Sequence, residues 1–272
     1  VGAAVAAGAS VKSRAQTGSR GSGAAFDVAI VGSGVFGAWT ARHLLSRGLR
    51  VALIDEYGPG SSRASSGGET RVIRMGYGSQ EIYTRMSWDS LTQWKSLERA
   101  TGERLFQETG MVFLARGKDE LTSDSLAMLK KLDIPHERLE RKDLVARYPQ
   151  IDFGPITWAL SEPRSGALFA RRAVQTVVRE FQKAGGEFIL GQAEAPQTDA
   201  AVSSIRVGER TVRAANFVFA CGPWLGKIFP DVLGDRIFPT RQEVFYFGVP
   251  PGDDRFGPPK MPTWIDFGAE IY

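Results

Sequence analysis

An α/β fold organised around a dinucleotide-binding βαβ unit is what this sequence predicts, and three observations predict it. A short apolar run, Asp27 to Val31, passes straight into the turn Gly32-Ser33-Gly34-Val35-Phe36-Gly37. A helical pattern from Ala38 to Ser46 and a second apolar run, Arg50 to Ile54, come next and close on Asp55. Farther on, the amphipathic stretch Ala170 to Ala184 stops at Gly185-Gly186 and gives way to the short strand Glu187 to Leu190, the helix-then-strand order of a parallel crossover.

The glycine turn has the G-x-G-x-x-G spacing and the context that gives this spacing meaning. Gly32 permits the tight turn, Gly34 lets backbone approach a pyrophosphate, and Gly37 lets helix and strand pack closely. The helix start beside Val35 and Phe36 offers free N–H groups and a partial positive charge to phosphate. Asp55, at the end of the second strand, can accept hydrogen bonds from ribose hydroxyls and would repel a 2′-phosphate. NAD and FAD both satisfy this motif.

Between these units the pattern predicts a helix over Gln80 to Thr101, with Tyr83, Met86, Leu91, Trp94 and Leu97 as its apolar face. A strand is expected at Met111 to Ala115, a helix at Glu120 to Leu132, and a short helix at Lys142 to Tyr148 stopped before Pro149. Ile156 to Leu160 reads as a strand, and Val202 to Val207 with Arg210 to Arg213 as a hairpin about Gly208. The strand Phe217 to Ala220 then leads into the turn Cys221-Gly222-Pro223, and Arg241 to Phe247 has the period of a further strand. The chain stops at Ile271-Tyr272 inside another strand-like run, so a C-terminal portion is expected beyond it.

Composition narrows the function classes. The 272 residues, 43% of them apolar, suffice for one large or two modest cores. The 34 basic and 30 acidic residues are interspersed rather than gathered into a stripe, so nucleic acid is not an expected partner. Cys221 is the single cysteine, which excludes an internal disulfide and a cysteine-based metal site, and His43 and His136 lie too far apart to suggest a metal-ligand spacing. No metal is expected. Residues 1–25 form an Ala/Gly/Val run followed by a Ser/Gly/Arg stretch, too short to span a bilayer, which needs about 20 apolar residues. They read either as the tail of an export signal, implying a periplasmic protein, or as a disordered leader on a cytoplasmic one.

The segment Gly68-Glu69-Thr70-Arg71-Val72-Ile73-Arg74-Met75-Gly76-Tyr77 carries two arginines three residues apart. It is similar to the G-[DE]-T-R-x-I-R-x-x-Y element of the monomeric sarcosine oxidase and N-methyltryptophan oxidase group, within the D-amino-acid-oxidase-like flavoproteins. The likeness continues through Tyr83, the Ser165-Gly166-Ala167-Leu168-Phe169 turn, the Ala220 to Trp224 turn and Arg241-Gln242. It implies a Rossmann-like FAD-binding domain, residues 26–105 and 165–230, with an inserted α+β substrate domain, residues 106–164 and 231–272.

By position, the resemblance places Gly32, Gly34, Val35, Phe36, Gly37, Asp55, Thr70, Arg71, Ala195 and Gly222 at FAD. It places Arg71 against the flavin and Arg74 on the substrate carboxylate, with Tyr83 and Trp264 lining the pocket. The implied reaction is oxidation of a secondary amine or N-methyl amino acid to an imine, with oxygen as acceptor and hydrogen peroxide as product. A dehydrogenase passing electrons to a quinone or carrier stays open, as does a nucleotide-binding module without catalysis. The family's histidine before the Gly-acid-Thr-Arg element is replaced here by Ser66 and Gly67. In the family the cysteine of members with covalent flavin and the lysine tied to oxygen activation lie beyond the equivalent of Tyr272, so covalent attachment and oxidase or dehydrogenase behaviour stay open, and the chain alone is expected to be inactive.

Overall fold

The computed structural model describes residues 25–196 and 201–269. The expected leader and the expected terminal strand at Ile271-Tyr272 lie outside these residues. In chain order the elements are β1 Phe26–Val31, α1 Val35–Ser46, β2 Val51–Asp55, β3 Arg71–Ile73, α2 Glu81–Thr101, β4 Phe106–Gln107 and β5 Met111–Ala115. There follow α3 Glu120–Lys131, β6 Glu137–Glu140, α4 Arg141–Arg147, β7 Trp158–Glu162, β8 Gly166–Leu168, α5 Ala170–Lys183 and β9 Glu187–Leu190. The last are β10 Ser204–Val207, β11 Arg210–Phe219, α6 Leu225–Ile228, α7 Pro230–Leu233 and β12 Thr263–Ile265.

The first sheet runs β10-β11-β1-β2-β9, and its four strands from β11 to β9 are parallel, with β10 antiparallel at one edge. Because side chains alternate across a strand, β1 serves two layers. Val28 and Ile30 pack with Ala38 and Ala41 of α1 and Val177 and Phe181 of α5. Ala29 and Val31 face the other way, against Ile205, Val207 and Val212 of the β10–β11 hairpin. The two strands expected at Arg210 to Arg213 and Phe217 to Ala220 are one continuous strand, whose start pairs with β10 and whose end pairs with β1.

The second sheet runs β12-β5-β7-β6, antiparallel except where β12 joins β5. Met111, Phe113 and Leu160 turn inward towards α2 and α3, while Val112, Leu114 and Ala159 pack with Leu144, Phe153 and Ile156 on the outer side. A small antiparallel sheet, β3-β8-β4, joins the two halves. The segment expected as a turn at Ser165 to Phe169 contributes its central strand, since each neighbour needs Gly166 to Leu168 as a hydrogen-bonding partner.

Two expectations fail on packing. Leu91, Trp94 and Leu97 of α2 are buried as expected, but Tyr83 and Met86 are 54% and 60% exposed. The inward face of the first two turns carries Thr84 and Ser87 instead, which hydrogen-bond to backbone of the segment after β3. Arg241 to Phe247 forms no strand, because a strand needs a ladder partner and none is present among the described residues; Phe245, Tyr246 and Phe247 stand exposed. No helix of the described residues is long and apolar enough to cross a membrane.

Candidate functional site

A cleft of about 1430 Å³ opens at the carboxyl ends of β1, β2 and β11, where ligands of open α/β sheets bind. It exceeds the roughly 300–1,000 Å³ of ordinary small-molecule sites. It is lined by Gly32, Gly34, Val35 and Phe36 of the glycine turn, by Asp55, by Gly191 to Ala195 after β9, and by Gly222 to Leu225 after β11.

The glycines divide by what they make room for. Gly32 has φ 105°, and a Cβ there would lie 2.4 Å from the Ala220 carbonyl oxygen. A Cβ on Gly37 would lie 1.8 Å from the Gly32 carbonyl oxygen. These two let the chain pack on itself. Gly34 and Gly222 open onto the cleft instead: a Cβ on Gly34 would meet only the Ser66 hydroxyl, at 3.4 Å, and one on Gly222 would meet nothing within 4 Å. Such bare backbone above a helix N-terminus is a cradle for a diphosphate.

Asp55 is held by backbone. Its Oδ2 accepts the Ser33 N–H at 2.6 Å, and its Oδ1 accepts the N–H groups of Tyr57 and Gly58, each at 2.9 Å. The carboxylate thus ties the glycine turn to the β2 exit while keeping lone pairs towards the cleft. Beside it, Cys221 donates its S–H to the Val31 carbonyl. Burial, followed by the charge of Asp55, pushes the thiol up to about 11, so it is a packing group and no nucleophile.

Arg71 lies in the cleft lining, with its guanidinium on the carbonyls of Ser65 and Thr70 at 2.6 and 2.7 Å. This closes the loop after β2 and leaves a cation at the wall. Thr70 is exposed and contributes its carbonyl to that contact, while its side chain is not part of the wall. The sequence reading missed Ser66, whose hydroxyl accepts the Val35 N–H at 3.0 Å, and Tyr57, which leans on Trp224 across the cleft. The first aromatic side chain after a strand-terminal acid was the available signal for Tyr57; none marked Ser66 among its neighbouring serines.

Arg74, three residues from Arg71, belongs to a different environment. Its guanidinium lies 4.3 Å over Tyr77, with Phe113 and Phe267 at 5.5 and 5.9 Å, and donates to the Gly76 carbonyl. Below it is Glu162, 1% exposed, whose Oε2 accepts the Met75 N–H at 2.8 Å and the Ser165 hydroxyl at 2.6 Å. Burial drives the Glu162 carboxyl upward, against the opposing pull of Ser165, the backbone and Arg74. Oε1 has no hydrogen-bond partner among the described residues. An acidic residue two positions past the apolar run Trp158-Ala159-Leu160 was the only local hint of this buried group, and it marked no partner.

Tyr83 reaches this cage indirectly, with its ring 6.0 Å from that of Tyr77. Trp264 does not reach it. Trp264 pairs with Val112, whose side chain faces the outer core, whereas Phe113 of the cage faces inward. The sheet therefore stands between Trp264 and Arg74, which corrects the expectation that both line one pocket. Ala195 lines the cleft, two residues beyond the bridge between Ala193 and Val207. Among the described residues no cluster of His, Cys, Asp or Glu could hold a metal ion.

Known proteins resemble this chain in sequence and in fold. The chain is 28% identical over 249 residues to the monomeric sarcosine oxidase of Streptomyces avermitilis, covering 90% of this chain and 64% of that protein. It is 27% identical to the N-methyl-L-tryptophan oxidase of Yersinia pestis, covering 76% of this chain and 56% of that one. Among solved structures, the amino acid oxidase NikD of nikkomycin biosynthesis superposes with a TM-score of 0.61 at 25% identity, over 76% of this chain and 54% of NikD. L-proline dehydrogenase from P. horikoshii, at 18% identity, shares the fold with a TM-score of 0.66 over 76% of this chain and 55% of its own. The chain thus spans roughly half to two thirds of these proteins. Residues 27–272 match the family described as FAD dependent oxidoreductase, DAO, and to that family the chain belongs.

Proposed function

We propose that the complete protein oxidises a secondary amine bearing a carboxylate, an N-methyl amino acid or close relative, to the imine. The observation that carries this reading is the separation of Arg71 and Arg74 by one short strand into two environments. The cleft fits FAD by its bare glycine cradle, its helix N-terminus and its backbone-held Asp55. When bound, FAD supplies the two-electron acceptor for the reaction.

Asp55 binds the adenosine ribose, and the turn from Gly34 to Phe36 the diphosphate. Arg71 supplies a fixed cation on the cofactor side, which favours gain of negative charge there. Arg74 keeps guanidinium N–H groups beyond the one given to Gly76 and pairs with the substrate carboxylate, orienting the reacting carbon. The rings of Tyr77, Phe113 and Phe267 keep water from that pair. The amine loses a hydrogen from carbon and one from nitrogen, oxygen accepts the two electrons and two protons as hydrogen peroxide, and the imine hydrolyses. The names of the Streptomyces avermitilis and Yersinia pestis relatives support this class of substrate.

Arg74→Lys in the complete protein tests the reading. Lysine keeps the charge and loses the planar fork. FAD stays bound, and KM for a carboxylate substrate rises about tenfold relative to a matched neutral amine, the scale of one charge-assisted hydrogen bond. An equal effect on both substrates removes Arg74 from the carboxylate site. A peroxide assay during aerobic turnover decides whether oxygen is the acceptor.

A further inference from the structure

The peptide bond that follows Arg74 is gripped from both sides. Its carbonyl, that of Arg74, accepts the Ser87 hydroxyl of α2. Its N–H, that of Met75, donates to Glu162 Oε2 at the end of β7, at 2.8 Å. The carbonyl of Met75 in turn accepts the Thr84 hydroxyl at 3.0 Å, and the Gly78 N–H donates to Ser125 Oγ at 2.8 Å. Residues 74–78 have no sheet or helix of their own to fix them, yet four side chains from α2, α3 and β7 do so.

A buried carboxylate is costly unless its hydrogen bonds offset its loss of water. Ordinary packing at this position would be served by an apolar residue continuing the pattern of β7. Glu162 is instead fully sequestered, with Oε2 on Met75 and Ser165 and Oε1 against Gly76, whose carbonyl receives Arg74. No Arg74–Glu162 ion pair forms within contact distance, so the carboxylate acts on the backbone of the turn and leaves the guanidinium donors to another partner.

We propose that Glu162 and Ser87 are positioning residues that clamp the Arg74–Met75 peptide and thereby aim the Arg74 guanidinium at the substrate carboxylate. The inference rests on the reading of Arg74 as carboxylate anchor. A guanidinium whose peptide is fixed at both poles loses less freedom on binding than one on a mobile loop. Selectivity for carboxylate substrates then depends on two residues that touch no substrate.

The test uses the complete, FAD-loaded protein and three variants. Ser87→Ala removes one pole, Glu162→Met removes the other at similar volume, and Glu162→Gln keeps an acceptor for the Met75 N–H. The reading is the ratio of KM for N-methylglycine to KM for a matched neutral secondary amine. A second reading is the perturbation of flavin absorbance on titration with non-oxidisable N,N,N-trimethylglycine. The ratio rises about threefold or more in Ser87→Ala and about tenfold or more in Glu162→Met, as loss of a neutral and of a charge-assisted hydrogen bond predicts. Trimethylglycine binding weakens in parallel, and Glu162→Gln restores most of both. If Glu162→Met fails to retain FAD, Ser87→Ala decides alone, since Ser87 is only half-buried. An unchanged ratio in Ser87→Ala and in any folded Glu162→Met, while Arg74→Lys does shift it, overturns the clamp and leaves the anchor standing. A ratio unmoved by Arg74→Lys overturns the anchor itself.

Discussion

Arg71 and Arg74 stand at either end of the same short strand and face two sites built on opposite principles. The cleft beside Arg71 is made mostly of backbone: glycines without side chains, helix-start amides, and one carboxylate held by three N–H groups. The cage around Arg74 is made of side chains gathered from β5, α2, β7 and the residues after β12. A site of backbone binds what all members of a fold share, here a dinucleotide. One of side chains can be retuned residue by residue, which suits the substrate role proposed for it.

The comparison breaks most sharply at Gly37. A methyl group there would stand 1.8 Å from the Gly32 carbonyl oxygen, so Gly37→Ala should destabilise the protein by about 3 kcal/mol or more and abolish FAD retention. Thermal unfolding and the flavin absorbance of the purified variant measure this. A yellow, normally stable Gly37→Ala protein would show that α1 can draw back from the glycine turn without loss of the cofactor site.

Next in size is Asp55→Ala, which loses the proposed ribose acceptor and the tie between Ser33 and the β2 exit. FAD affinity should fall by about 1.5–3 kcal/mol, measured by fluorescence titration of the apoprotein. The glycine spacing and Asp55 were legible in the sequence because every part of the motif lies within one βαβ unit. Glu162 was not, because its partner Met75 is 87 residues away and no local spacing marks the pair. Tyr83 and Met86 misled for a related reason: the inward side of α2 begins with Thr84 and Ser87, polar residues turned inward to backbone partners, and hydrophobic period passes over these.

The cage side has its own, smaller handle. Arg116 at the end of β5 pairs with both oxygens of Asp266, which adjoins Phe267 of the cage. The Arg116 hydrogen bonds hold the Asp266 carboxyl below the usual range. A depressed carboxyl stabilises the fold above its unfolded value near 3.8, and that contribution disappears as pH falls through the lower folded value. Asp266→Asn should therefore cost about 1 kcal/mol at neutral pH and nothing in strong acid. Equal melting temperatures for the two proteins at pH 7 would mean that the pair does not anchor β12.

The smallest effect concerns Cys221 and leaves stability untouched. With its thiol pushed up to about 11, it should resist iodoacetamide at pH 8 in the native protein and react readily in denaturant. Rapid native labelling would show that the floor of the cleft is more open than its packing implies.

The pairing of β1 with β11 sets the order in which the protein can be made. Phe26 finds its ladder partner in Ala214, and Val31 in Phe219, so the wall carrying the glycine turn has no neighbour on that side until nearly the whole described chain has been synthesised. While the ribosome is still supplying residues 56–209, β1 and β2 can pair with each other, but the cleft lacks its Gly222 side. Contacts of such long sequence separation form late and slowly. A nascent chain therefore holds an apolar, half-built sheet until β11 has left the exit tunnel, and the described walls of the cofactor cleft meet only after that.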